Sequence, residues 1–236
     1  SKDGEVPERP EMDRYQVGSN NWAVSGTKSK SGHAMLANDP HLNLTLPSIW
    51  FQVQIHTPES NTYGVSLPGT PGIVIGFNEN MAWGVTNVGH DVSDYYTIKW
   101  TDATRMKYQL DNEVRSVQLR VEKIEIKGQP TFLDTVRYTV FGPVPYDYDP
   151  DNPLRDCALR WTAHDIPEFS SVDVFMHLNM GKGYPDYLHA ITGFDSPAQN
   201  FVFASRTGDI AIQVQGKFPV RGKEQGRFVQ DGSKWA

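Results

Sequence analysis

Between Ser19 and Thr86 every apolar run is short and is broken by Gly, Pro or Asn, the runs falling at 22–26, 33–37, 49–55, 63–67, 73–77 and 81–86. Runs of that length bounded by turn residues predict strands rather than helices. In the third run Ile49, Phe51, Val53 and Ile55 alternate with Trp50, Gln52 and Gln54, the two-residue period of a strand with one buried face. Gly69, Gly72, Gly76 and Gly84 recur where backbones turn or approach closely.

The rest of the chain mixes patterns. Residues 114–140 alternate apolar Val117, Leu119, Val121, Ile124 and Ile126 with charged side chains, which predicts an exposed two-stranded arm turning at Gly128-Gln129-Pro130. A strand at 158–162 follows a Pro-rich loop at 143–153. Helical spacing covers 170–180 and 184–192, with Val174, Leu178, Leu188 and Ile191 as the inward positions. Strands return at 200–204 and 210–214 around Thr207-Gly208. Strands packed with a few helices make the fold class α+β.

Composition removes several functions. The 236 residues suit one large domain or two small ones, with 38% hydrophobic and 21% charged side chains, as in globular proteins. Net charge is -6 and Lys and Arg are scattered, so there is no nucleic-acid footprint. Cys157 is the sole cysteine, which excludes an internal disulfide and a multi-cysteine metal site. No apolar run reaches eighteen residues, so no transmembrane helix is expected, and the N-terminus has no signal-peptide core. Residues 1–18 are polar with Pro7 and Pro10 and read as a linker, and the abrupt end at Trp235-Ala236 reads as part of a longer parent.

Chemistry concentrates at Gly18-Ser19-Asn20-Asn21-Trp22 and Asn38-Asp39-Pro40-His41. A cut before Ser19 would free an α-amine, whose ordinary pKa of about 7.7 to 8.0 leaves a useful neutral fraction near pH 7. Hydroxyl and base would then share one residue, a self-sufficient nucleophile. A competing metallohydrolase would draw on His33, His41, His56 and His90, whose spacings fit no common zinc pattern. Taken singly, His41 reads as a loop histidine, Asn200 as a cap before a strand, Arg221 as a surface charge, and Asp91 and Asp94 as turn caps.

Taken together, Ser-Asn-x-Trp, Leu36-Ala37-Asn38-Asp39-Pro40-His41, Pro71-Gly72-x-x-x-Gly76-x-Asn78, Ala82-Trp83-Gly84-x-Thr86-Asn87-Val88-Gly89-x-Asp91 and Gln199-Asn200-Phe201 arrive in one order. That order resembles the start of the β chain of penicillin acylases, which are N-terminal-nucleophile hydrolases. The resemblance implies an αββα sandwich seen as a strand-rich fragment, a linker at 1–18, and a hydrolase domain at 19–236.

It further implies self-cleavage at Gly18-Ser19 and amide hydrolysis through an acyl-enzyme on Ser19. His41 falls where acylases of the cephalosporin and acyl-homoserine-lactone type carry an orienting histidine and penicillin G acylases carry glutamine. The backbone N–H of Asn87 and the side-chain amide of Asn200 match the oxyanion donors, and Arg221 a family arginine near the site. Leu42, Ile75 and Val85 match positions lining an aliphatic acyl pocket. Asp91 and Asp94 match a structural calcium site; no cofactor is implied for catalysis.

The implied partners are an α subunit, the rest of the β chain and a small-molecule amide such as a β-lactam side chain or an acyl-homoserine lactone. The implied location is periplasmic or extracellular. The contrasting expectation is an inert, uncleaved fragment serving only as a structural module.

Overall fold

The computed structural model describes residues 18–165, 171–223 and 225–235, so the expected linker lies outside the described residues except for Gly18. In chain order the strands are β1 (Asn20–Val24), β2 (Met35–Asp39), β3 (Phe51–His56), β4 (Asn61–Ser66), β5 (Ile75–Phe77), β6 (Met81–Asn87), β7 (Ser93–Thr97) and β8 (Lys107–Leu110). They continue as β9 (Glu113–Ser116), β10 (Gln118–Ile124), β11 (Phe132–Thr139), β12 (Gly142–Pro143), β13 (Cys157–Trp161), β14 (Gln199–Ser205), β15 (Ile210–Gln215) and β16 (Gln230–Asp231). Two helices, α1 (Ser171–Met180) and α2 (Tyr184–Ile191), precede β14.

The chain divides into two compact units. The first holds the described residues up to 88 together with 171–194 and 198–216. Its main element is an antiparallel six-stranded sheet in the order β15-β14-β6-β5-β4-β3. Trp83, Val85, Phe201 and Phe203 bury one face of that sheet in a cluster with Val174, Leu178, Tyr187 and Ile191 of the helices. Each large side chain so buried stabilises the fold by roughly 1.5–3 kcal/mol.

Two polar pins fix the helices to the sheet. The Tyr187 hydroxyl donates to the Phe201 carbonyl at 2.9 Å. Buried Asn179 accepts from the Ile73 N–H at 2.8 Å and donates to the Ile73 and Phe175 carbonyls at 2.9 and 2.7 Å. The helical spacing predicted Val174, Leu178 and Ile191 as buried, and they are; Leu188 is only half-buried, and Asn179 takes a core position that apolar periodicity had no means of flagging.

On the other face of the sheet lies the antiparallel β1-β2 pair, with Asn20 opposite Asp39 and Asn21 opposite Asn38. Side chains alternate along a strand, so Gly84 points away from the core that holds Trp83 and Val85. A Cβ there would meet the side chain of Asn38 on β2. The glycine lets the two layers touch. The first two strands sit differently from the predicted runs: β1 starts at Asn20 and ends at Val24, because 26–28 turns into a 3₁₀ helix capped by Ser25, and β2 runs on through Asn38 and Asp39.

The second unit holds described residues of 89–165, 195–197 and 217–235. Its core joins Ile98, Tyr108, Leu110, Val117, Phe141, Val144 and Ala158. β13 and β16 flank β7, antiparallel and parallel respectively. The predicted arm is present as the β10-β11 pair, while Val117 leaves it for the core. The structure adds β7 and the β8-β9 hairpin, which no apolar period in the sequence marks. Trp235 stacks on Phe141 with ring centroids 5.7 Å apart, and Phe141 on Tyr96 at 4.2 Å.

Candidate active site

Ser19 stands immediately before β1, and β1 is joined to β2, whose end delivers His41 across Pro40. The backbone N–H of His41 donates to the Ser19 Oγ at 3.0 Å. The His41 ring bridges two acceptors: its Nδ1 lies 2.8 Å from the Gly18 carbonyl oxygen and its Nε2 lies 2.9 Å from Asp39 Oδ2. Asn20 Nδ2 donates to the same Gly18 oxygen at 3.3 Å. The bond before Ser19 is therefore held at its carbonyl by two side chains.

The sheet brings in Asn200 from β14. The β14-β6 register sets Asn200 opposite Thr86 and Gln199 opposite Asn87. The Asn200 side-chain amide donates to Thr86 Oγ1 at 3.2 Å and to the Asn87 carbonyl at 3.4 Å, and the Asn200 backbone carbonyl accepts from Asn21 Nδ2 at 3.0 Å. Asn21 is thus the link from β1 to β14, a role that the sequence reading did not assign. Its signal was present in the Ser-Asn-Asn-Trp string, but only the fold shows which asparagine reaches β14.

The acyl-pocket positions divide. Ile75 and Val85 are buried in the sheet core, and Leu42 is 51% exposed. Asp91, Asp94 and Arg221 belong to the second unit. There Arg221 donates from Nε to Asp94 Oδ2 at 2.9 Å and from Nη1 to the Asp91 carbonyl at 2.9 Å. Its Nη2 lies 3.6 Å from Asp91 Oδ1.

The Asp94 side chain is 9% exposed, so this is a largely desolvated carboxylate with a guanidinium already on it. Calcium takes about six to eight oxygen ligands, and a second cation here would be repelled by the first. As they stand, these residues do not fit a calcium ion, and no group of three or more His, Cys, Asp or Glu able to hold a metal occurs among the described residues. Cys157 is buried, and burial pushes its thiol up, away from a reactive thiolate.

What the first unit defines is a strand-borne serine whose hydroxyl, preceding carbonyl and histidine neighbour are locked together by hydrogen bonds. The chain belongs to the penicillin amidase family, whose pattern matches residues 3–236. It is 32% identical over 223 residues to acyl-homoserine lactone acylase QuiP of Pseudomonas aeruginosa, covering 91% of this chain and 26% of that protein. It is 26% identical over 211 residues to the penicillin acylase 2 proenzyme of Pseudomonas sp. strain SE83, covering 89% of this chain and 27% of that protein.

The chain thus spans about a quarter of the length of these relatives. Among solved structures it resembles a thermostable penicillin G acylase from Alcaligenes faecalis, with TM-score 0.77 and 23% identity, covering 90% of this chain and 38% of that one. The likeness establishes a shared strand-rich fold.

Proposed function

We propose that this chain forms the nucleophile-bearing part of an amide hydrolase in which Ser19, freed by self-cleavage at Gly18-Ser19, removes acyl groups from linear amides. The observation that carries the reading is the 3.0 Å bond from the His41 N–H to Ser19 Oγ, which aims the hydroxyl beside the bond to be cut. Relatives named as acyl-homoserine lactone and penicillin acylases support the substrate class: acyl-homoserine lactones, β-lactam side chains or similar amides. They also weigh against an inert structural module.

In this reading the freed α-amine takes the proton from Oγ, Oγ attacks the amide carbonyl, and water later clears the acyl-enzyme. The Asn87 N–H and the Asn200 amide face the oxyanion, once Asn200 turns from its Thr86 and Asn87 partners toward substrate. Of the three expected acyl-pocket residues, exposed Leu42, next to His41, is the one offered to the acyl chain, while Ile75 and Val85 are taken up by the core packed on the helices. The fold belongs within an αββα sandwich whose hydrolase domain runs from 19 to 236 and is preceded by a linker. An α subunit and the remaining β chain complete it in a periplasmic or extracellular setting.

The test is Ser19→Ala in the parent precursor. It should abolish both chain cleavage and turnover of a chromogenic fatty-acyl or phenylacetyl amide, and persistent turnover would refute the nucleophile. Asn200→Ala should lower kcat by about 100-fold with little change in KM; an effect confined to KM would argue against an oxyanion role.

A further inference from the structure

Two side-chain donors converge on one carbonyl oxygen, that of Gly18: Asn20 Nδ2 at 3.3 Å and His41 Nδ1 at 2.8 Å. The other ring nitrogen of His41 faces a carboxylate oxygen of Asp39 at 2.9 Å. Both nitrogens therefore meet acceptors. A neutral imidazole carries one N–H, so one of these contacts would set lone pair against lone pair. Only the doubly protonated ring satisfies both, and Asp39 is the charged group bonded to it.

We propose that Asn20 and the His41 imidazolium clamp the Gly18 carbonyl and activate the Gly18-Ser19 bond, with Asp39 as the positioning residue that keeps both ring nitrogens protonated. The inference deepens the self-cleavage reading and rests on it. Neither Asn20 nor Asp39 entered the site as read from the sequence.

The chemistry balances without a co-reactant other than water. Ser19 Oγ, held by the His41 backbone N–H, forms a bond to the Gly18 carbonyl carbon while the carbonyl oxygen takes up the negative charge between the two donors. The hydroxyl proton passes to the Ser19 amide nitrogen, the C–N bond breaks, and the Gly18 acyl group is left as an ester on Oγ beside a free α-amine. Water then hydrolyses the ester, releasing the Gly18 carboxylate and restoring the hydroxyl. Donors aimed at an oxyanion are worth about 100- to 1000-fold in rate each.

The test is a time course of self-cleavage of the parent precursor, read by the masses of the chains it yields. Asn20 and Asp39 are exposed, so substitution leaves the core untouched. Asn20→Ala should slow cleavage by about 100-fold, and Asp39→Asn, acting through His41, by on the order of 10-fold. A second readout uses the uncleavable Ser19→Ala chain with ¹⁵N-labelled histidine at the pH of the assay. The His41 ring should show two protonated nitrogens, and Asp39→Asn should reduce them to one.

If the wild-type chain is cut and Ser19→Ala is not, yet Asn20→Ala and Asp39→Asn are cut at the wild-type rate, the clamp is refuted and self-cleavage stands. A singly protonated His41 ring in the Ser19→Ala chain refutes the clamp equally. Cutting that survives Ser19→Ala, or a wild-type precursor that stays intact, overturns the self-cleavage reading and the clamp with it.

Discussion

Gly84→Ala tests how closely the β1-β2 layer must approach the six-stranded sheet. The new Cβ would come within 2.8 Å of Asn38 Cγ and 2.9 Å of Asn38 Cβ, whereas carbon atoms rest at about 3.5–4.0 Å. Neither backbone yields easily. β6 is hydrogen-bonded to β14 on one side and β5 on the other, and β2 is paired along its length with β1. In an unobstructed strand, replacing Gly with Ala is favourable by roughly 0.5–1 kcal/mol. Overpacking a filled site costs typically about 1–3 kcal/mol. The clash wins, leaving a net loss of about 1–2 kcal/mol.

The assay is urea unfolding followed by tryptophan fluorescence, Trp83 being buried beside the mutated position. With an m value of about 2 kcal/mol/M, the midpoint should fall by roughly 0.5–1 M. Asn38 Oδ1 and Nδ2 are buried without a hydrogen-bond partner, so Asn38→Ala removes the obstructing amide without breaking a bond. The double variant should recover part of the loss, with a coupling of about 0.5–3 kcal/mol. A Gly84→Ala protein as stable as wild type, or strictly additive substitutions, would refute the reasoning.

Asn179→Ala should cost about 3–5 kcal/mol by thermal or urea unfolding, because it orphans both polar groups of the Ile73 peptide in the core; a loss below 1 kcal/mol would contradict the pinning role. Arg221→Ala leaves the nearly buried Asp94 carboxylate without its counter-charge and should lower Tm by several degrees, whereas a chelator should leave the wild-type Tm unchanged; a chelator-induced drop would instead favour calcium. Burial pushes the Tyr187 phenol well above the ordinary tyrosine value, so the folded chain keeps a proton that the unfolded chain loses near pH 10. Stability is then complete below pH 10 and falls above it by up to about 1.4 kcal/mol per pH unit, with Tyr95, pushed up to about 12, adding to the slope. Tyr187→Phe should flatten the alkaline limb in urea titrations between pH 9 and 11, and an unchanged slope would rule the residue out.

Local signals carried much of the fold. The two-residue period found the strand at 51–56, the charged alternation found the β10-β11 arm, and helical spacing found both helices nearly to the residue. Ser93–Thr97 escaped because Ser-Asp-Tyr-Tyr-Thr shows no apolar alternation; it becomes a strand through its pairing with Cys157–Trp161 and Gln230–Asp231. Asp91 and Asp94 matched a calcium site only through the family resemblance, and only folding brought Arg221, more than a hundred residues away, onto both.

Residue order by itself determined which groups this protein can deploy: a serine after a glycine, a histidine after Asn-Asp-Pro, and an asparagine at the head of a buried strand. Tertiary structure decided which of them meet. Hydrogen bonds form only within about 3.5 Å, and no local period reports that Asn21 will reach Asn200 or that Asn20 and His41 will share the Gly18 oxygen. That proximity comes from the register of β1 on β2 and from a glycine at 84 small enough to let the two layers close.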